Sequence, residues 1–446
     1  MIEEIQAGYA AIDIGQERIF VATACGDSAT YQPVKSFGTH TADYREAARY
    51  LRAQGVRRVA MEATGVYWIP LHDLLQAEGL AVTVFHGAHA RNLPGRKTDV
   101  QDCQWHAMLH SHGLLSPCFI PPDSIRRLRA YYRLREDHLS MAGSHLQHLQ
   151  RALDLMNVRL HVVISQIQGA SGMRVIKAIL DGERNPARLL ALCDPQIREK
   201  KAVAVLKSLE GDWQAHHLFA LRQAVDCYEF YQQKMAECDH QIQLLLQELN
   251  AERPLCPPTA PKPKTARHNA PAVTDLHAHL ITLQNGRDAT VLPGISPLGM
   301  LKLTSELGTD LSGWKSEKHF TSWLGLAPGN NRSGKRRRRY PRRKTKAGQI
   351  FREAVPSLAK SRYVALGVVY RKLKARRGAA IAATAVARKL AVLYYRLHTK
   401  GLQYVERGVQ DYEERVREQT IRYLNKVARR HGLTMTASPI PTPAPA

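Results

Sequence analysis

The chain has 446 residues, with 64 Lys and Arg against 39 Asp and Glu, and a formal net charge of +25 with histidines neutral. That length holds several domains, and an apolar share of 44% supplies real cores, which excludes a small peptide, a coat-like fibre and wholesale disorder. A basic surplus of this size calls for a polyanionic partner.

The first 120 residues alternate short apolar runs with amphipathic stretches, the texture of an α/β domain. Tyr9 to Ile14 and Arg18 to Ala24 read as two strands joined by a turn at Gly15, with Tyr31 to Phe37 as a third. Thr41 to Gln54 has helical periodicity and stops at Gly55. Val56 to Met61 is the next strand, Val66 to Glu78 the next helix and Leu80 to Phe85 a further strand, with helix again from Asp99. This order predicts an RNase H-like sheet over residues 1–120.

From 121 to 250 the chain is rich in Leu, Gln, His and Arg. Leu139, Leu146, Leu149, Leu153 and Met156, then Met235, Ile242, Leu245 and Leu249, recur at three- and four-residue spacing. The spacing predicts long paired helices, either an intramolecular bundle or a dimerising coiled coil. Pro254, Pro257, Pro258, Pro261, Pro263 and Pro271 mark a linker, placed at 251–290. Residues 291–405 read as a second compact, helical unit. A charged helix and a Pro/Ala/Thr tail, expected to be disordered, occupy 406–446. The predicted fold class is thus α/β plus all-α.

Asp13 stands inside the apolar run Ala11-Ile12-Asp13-Ile14, where an uncompensated carboxylate is costly to bury. Glu62 ends the strand that neighbours the first in an RNase H-like sheet. Asp99 and Asp102, three residues apart, share one face of a helix start, where the helix dipole favours acids. Capping and surface roles account for each acid singly. Taken together, four converging carboxylates call for divalent cations, and all-oxygen ligation suits Mg2+ or Mn2+, which can flank a phosphodiester.

A basic block runs from Arg332 to Lys346, comprising Arg332, Lys335, Arg336, Arg337, Arg338, Arg339, Arg342, Arg343, Lys344 and Lys346 with no acid among them. Runs of this kind contact nucleic acid, serve as localisation signals or form solvated tails; the position inside a compact unit favours nucleic acid. Ser333 and Gly334 lie within it. A serine hydroxyl among guanidinium groups can attack a phosphodiester whose charge they offset, or can simply bind phosphate or make a turn. Tyr340 is a rival nucleophile, but the one His-x-x-Arg sequence, His148 to Arg151, lies in the predicted long-helix region. Leu292-Pro-Gly-Ile-Ser-Pro-Leu-Gly resembles a helix-hairpin-helix turn, with Ser296 where a second hairpin glycine is usual.

Other chemistries lose support. No Walker A, His-Glu-x-x-His, Gly-x-Gly-x-x-Gly or Gly-x-Ser-x-Gly sequence occurs. Seven cysteines without a Cys-x-x-Cys pair suggest neither a disulfide framework nor a zinc ribbon. The N-terminus is acidic where a signal peptide is basic, and the longest apolar stretch, Ala379 to Tyr395, is interrupted by Arg388 and Lys389. A cytoplasmic protein without a membrane segment is expected.

Ala11-Ile-Asp-Ile-Gly, Met61-Glu-Ala-Thr-Gly-Val-Tyr-Trp, Lys97-Thr-Asp-Val-Gln-Asp, Leu292-Pro-Gly-Ile, Phe320-Thr-Ser-Trp-Leu-Gly-Leu-Ala-Pro and Ser333-Gly-Lys together resemble the IS one-ten family of bacterial insertion-sequence transposases, including its IS eleven-eleven branch. The resemblance spans nearly the whole chain in order. It implies a RuvC-like domain with a DEDD carboxylate set, a helical coiled-coil region and a C-terminal transposase domain that supplies a serine. Carried over, Asp13, Glu62, Asp99 and Asp102 become the metal-binding set and Ser333 the nucleophile. It further implies double-stranded DNA as substrate, a structured noncoding guide RNA, a homo-oligomer whose subunits share the site, and a nucleoid location. The chain departs from the family pattern after the serine, where an Arg run precedes Lys346-Ala-Gly-Gln349. A RuvC-like junction nuclease and a noncatalytic nucleic-acid-binding protein are the competing expectations.

Overall fold

The computed structural model describes residues 8–23, 34–87, 98–258, 269–328, 332–333, 336–337, 345–360 and 365–434. They fall into two compact units, Met1–Ile120 and Pro121–Ala446.

The first unit is a five-stranded sheet with helices on both faces. Its strands are β1 (Tyr9–Ile14), β2 (Arg18–Thr23), β3 (Lys35–Gly38), β4 (Arg58–Glu62) and β5 (Ala81–Phe85), in the order β3-β2-β1-β4-β5. β1, β2 and β3 pair antiparallel, whereas β1, β4 and β5 run parallel. This is the RNase H-like arrangement. The first hairpin turns where the amide of Gly15 donates to the carbonyl of Arg18 at 2.9 Å.

Parallel strands need crossovers, and helices α1 (Thr41–Ala53) and α2 (Trp68–Ala77) supply them. The main-chain amide of His40 donates to the Asp43 carboxylate at 3.0 Å and starts α1; Gly55, at φ +70°, ends it without the strain a side chain would bring. Alternation along the strands divides the sheet. Ala10, Ile12, Ile19, Val21, Val59 and Met61 pack with Leu51, Leu71 and Leu75 on the α1/α2 side. Ala11, Ala22 and Ala60 form the opposite face, a floor of small side chains that lets α3 (Asp99–Ser111) settle close through Cys103 and Ala107.

In the second unit, α4 (Asp123–Leu155) and α9 (Ala215–Leu249) form a long pair. Arg127 meets Glu248, Arg135 meets Asp239 and His145 stacks on Tyr231, so the partners' numbers fall as those of α4 rise and the helices are antiparallel within one chain. Between them lie α5 (Leu160–Val163), α6 (Ala170–Leu180), α7 (Pro186–Ala191) and α8 (Pro195–Ser208). Their core, with Val175, Ile176, Ile179, Leu189 and Val205, closes on Leu149, Leu153 and Leu221 of the long pair.

Residues 254–258 and 269–271 form no helix or strand. The linker expected over 251–290 nevertheless contains α10 (Leu276–Leu283). Prolines are absent from 272 to 292, and His279 to Thr282 are buried, so this part of the segment has both the freedom to coil and an apolar reason to do so. Beyond it come α11 (Pro297–Leu307), α12 (Glu317–Trp323), the two-residue strands β6 (Arg332–Ser333) and β7 (Arg336–Arg337), α13 (Lys346–Lys360), α14 (Ala365–Arg377), α15 (Ala379–Lys400) and α16 (Leu402–Arg430). A unit expected to be all-helical thus holds one short ladder. Phe320, Phe351, Tyr394 and Tyr395 form its aromatic centre. Among the described residues no helix is long and apolar enough to cross a membrane, and no disulfide occurs.

Candidate active site

Asp13 lies one residue from the end of β1 and Glu62 at the end of β4. The two strands are parallel neighbours, paired as far as Ile12 with Met61, and Asp13 and Glu62 are the next residues on each. Counting in twos from Ala11 and Ala60 places both on the face that receives α3. Glu62 also stands opposite Phe85 at the end of β5, two residues before Gly87. A Cβ at Gly87 would press directly on the Glu62 carboxylate, so a bare backbone is what leaves that carboxylate its room.

Helix α3 brings the other two acids. Thr98 caps it, its hydroxyl accepting from the amide of Gln101 at 3.3 Å, and Asp99 and Asp102 occupy the first turn. Asp99 is exposed and Asp102 half-buried. Immediately after Asp102, the buried Cys103 thiol donates to the main-chain oxygens of Ala11 at 3.3 Å and Phe20 at 3.0 Å. Burial pushes that thiol up to about 12, so it stays protonated and keeps its donor. Cys103 therefore fastens the acid-bearing turn of α3 to the strand that carries Asp13.

The electrostatics register the convergence. Burial first, then the nearby charges of Asp99, Glu62 and Asp102, push the Asp13 carboxyl up to about 6, against a lowering by the amide of Ile14. Three separate stretches of chain thus contribute acids to one field. Among the described residues, no three His, Cys, Asp or Glu stand close enough to ligate one ion as they are. The donors in this set are oxygens alone, and hard divalent cations suit that chemistry.

The other expected residues belong to the second unit. Ser333 pairs with Arg336 and Arg332 with Arg337 across the antiparallel β6–β7 ladder, and only the backbone of these four residues is described. Lys335, Arg338, Arg339, Arg342, Arg343 and Lys344 lie outside the described residues, as do Tyr340 and Lys97. Lys346 is exposed at the start of α13. Just before it, the Thr345 hydroxyl donates to the carbonyl of Leu324 and accepts from the amide of Gly348, at 3.2 and 3.0 Å, anchoring the end of the basic segment.

The hairpin-like turn lies between a 3-10 turn, Ala289–Val291, and the start of α11. Gly294 adopts φ +85° against α13, where a Cβ would crowd Leu358 and the carbonyl of Ala354. Ser296, standing where a glycine is usual, is extended and caps α11 by accepting from the amide of Gly299 at 3.1 Å.

Sequence reasoning missed Cys103 and Gly87. A signal existed for the first: Cys103 and Ala107 are small residues at i and i+4 of the helix, the spacing of a close-packed face. None existed for Gly87, whose role depends on where the Glu62 side chain goes.

Comparison with known families finds two matches. Residues 10–158 match a family model described as a transposase, of the DEDD type of IS110. Residues 289–365 match one described as transposase, IS116/IS110/IS902 family. No curated protein matches the chain.

Proposed function

Because the chain belongs to the IS110 family of transposases and is a DNA transposase of an insertion sequence, we propose that it cuts and rejoins DNA with Asp13, Glu62, Asp99 and Asp102 as a divalent-cation site and Ser333 as covalent nucleophile. The observation that carries this reading is the placement of Asp13 and Glu62 at the ends of the adjacent parallel strands β1 and β4, on the face that receives α3 and its Asp99 and Asp102; the Asp13 carboxyl is raised by burial first and then by these three acids.

In this mechanism the four carboxylates hold Mg2+ or Mn2+. When bound, the cation offsets charge on the scissile phosphate and on the oxygens that attack and leave it. The Ser333 hydroxyl oxygen attacks phosphorus and gives up its proton as the O–P bond forms; the bond to the departing deoxyribose oxygen breaks, and that oxygen takes up a proton. A hydroxyl of the second DNA end then attacks the same phosphorus, restores the phosphodiester and returns the serine. Arg332, Lys335, Arg336, Arg337, Arg338, Arg339, Arg342, Arg343, Lys344 and Lys346 neutralise backbone phosphates, which gives affinity without sequence choice. Site choice then falls to a structured noncoding guide RNA that pairs with donor and target DNA. The working form is a homo-oligomer in which acids and serine come from different copies, acting in the cytoplasm at the nucleoid.

The test is element excision in cells, comparing the parent protein with Ser333→Ala, Tyr340→Phe and Asp102→Asn, together with a search for a covalent protein–DNA adduct. Loss in Ser333→Ala and Asp102→Asn, retention in Tyr340→Phe and an adduct at Ser333 are expected. Full excision by Ser333→Ala without an adduct, and none by Asp102→Asn, would leave a hydrolytic RuvC-like nuclease instead.

A further inference from the structure

From Ala354 to Val405 the chain contains no acidic residue and eleven Lys or Arg. Helices α14 and α15 lie within this stretch and are joined at Gly378, φ +83°. The base of the helical hairpin is packed: Leu366 is buried on α14, and Ala382, Val386, Leu390 and Tyr394 on α15. Its apex is open. Lys372, Lys374, Arg376 and Arg377 are all exposed, and among the described residues none of them has a carboxylate within ion-pair distance. Arg371 is committed elsewhere, its guanidinium donating to the carbonyl of Ala359 at 3.1 Å.

Like charges three and four residues apart on a helix repel, and the end of α14 offsets only part of this through its dipole. Four exposed cations within six residues, with no carboxylate partner among the described residues, therefore mark a surface arranged for an external polyanion. Between the cations and the body of α15 stand Gly378, Ala379 and Ala380, whose small side chains let a broad ligand approach the apex. Residues 371–381 include no aromatic side chain, so the apex has nothing on which unpaired bases could stack. That favours a duplex gripped by its backbone. The family match ends at residue 365, so this surface lies beyond the matched transposase region.

We infer that the α14–α15 apex is a second docking surface, separate from the Arg332–Lys346 segment, for the phosphate backbone of duplex DNA. Lys372, Lys374, Arg376 and Arg377 each neutralise a phosphate without reading bases. The inference rests on the chain being a DNA transposase, but on neither Ser333 nor the four acids.

The test is binding of the full chain to a labelled 30-base-pair duplex of arbitrary sequence across about 50–400 mM salt, a range in which phosphate contacts are titrated away. The variant Lys372→Gln/Lys374→Gln/Arg376→Gln/Arg377→Gln is compared with a charge-matched control, Arg151→Gln/Arg198→Gln/Lys200→Gln/Lys207→Gln, whose residues are exposed elsewhere in the same unit. At about 0.9 per phosphate contact, the slope of log affinity against log salt should become shallower by about 3.6 in the apex variant, with at least about a tenfold loss of affinity at 150 mM, and by less than about 1 in the control. Equal slopes in the two variants would overturn the inference while leaving the transposase reading intact. A loss seen only with a folded RNA hairpin would overturn it in favour of an RNA surface. Absence of duplex binding by the parent chain would overturn both.

Discussion

Cys103 and Ala11 are 92 residues apart in the chain and joined by a hydrogen bond, the thiol donating to the main-chain oxygen at 3.3 Å. Through it, the turn of α3 that bears Asp99 and Asp102 is held against the strand that bears Asp13. The thiol is fully buried, so its replacement has no slack to exploit. Cys103→Ser keeps a small donor and should excise within about threefold of the parent; Cys103→Leu overpacks the alanine floor at a cost of about 1–3 kcal/mol and pushes the two acids outward. The expected result is an excision loss of tenfold or more for Cys103→Leu, with a raised requirement for divalent cation. Parent-like cation dependence in folded Cys103→Leu would remove Cys103 from any positioning role.

Gly87→Ala separates stability from activity. The group that an added Cβ meets is the end of the Glu62 side chain, which can swing away cheaply, so thermal stability should change by less than about 1 kcal/mol. The displaced carboxylate should nonetheless lower excision at least tenfold. Unchanged excision would mean that Glu62 works from another rotamer.

The acid sensitivity of the second unit should reside partly in His398. Burial, and then the charge of Arg287, pushes this imidazole down to about 3; it lies 4.3 Å from the Tyr394 ring, and neither ring nitrogen has a hydrogen-bond partner among the described residues. A histidine kept neutral in the fold but free to protonate when unfolded stabilises fully above about pH 6.5, and the contribution is lost as pH falls towards 3. At pH 5 the loss amounts to about 2 kcal/mol. Urea unfolding of His398→Phe should therefore show a shallower decline between pH 7.5 and pH 5 than the parent. Parallel declines would show that the side chain is not buried in solution.

Arg135 and Asp239 form an ion pair in the α4–α9 interface, 2.5 Å apart and both buried. The same two side chains hold the end of the proline-rich stretch: Arg135 donates to the carbonyl of Asn269 at 2.9 Å, and the amide of Ala272 donates to Asp239 at 3.0 Å. Removing one partner leaves a buried charge uncompensated, so Asp239→Asn or Arg135→Met should destabilise by about 3–5 kcal/mol. The double variant Arg135→Met/Asp239→Leu should recover part of that loss, which a denaturation cycle over the four proteins measures directly.

The first unit was legible because its strands are short, apolar and separated by turn glycines, and because an acid in a buried strand, such as Asp13, violates the pattern and so announces itself. The α4–α9 pair was visible as spacing, whereas its antiparallel course within one chain is settled by contacts such as Arg127 with Glu248, which no periodicity encodes. Helix α10 was hidden by the prolines before it. The α14–α15 apex was overlooked because its cations are broken up by Leu373 and Ala375 and stand just before the apolar stretch from Ala379. Runs such as Arg336 to Arg339 are easier to see than charges gathered by a helical turn.

Helix α4 has 33 residues, about 50 Å at 1.5 Å per residue, and α9 has 35. Because the two are cross-tied at Arg127–Glu248, Arg135–Asp239 and His145–Tyr231, they behave as a strut with a set length. Seven residues inserted or deleted between Arg135 and His145 in α4 alone would put the ties on either side of the change out of step, while a matched change in both helices would shift the α5–α8 cap along the axis by about 10 Å and leave the ties made. The distance between the two ends of the α4–α9 pair is thus fixed by two helices at once, and a change in one alone leaves it strained.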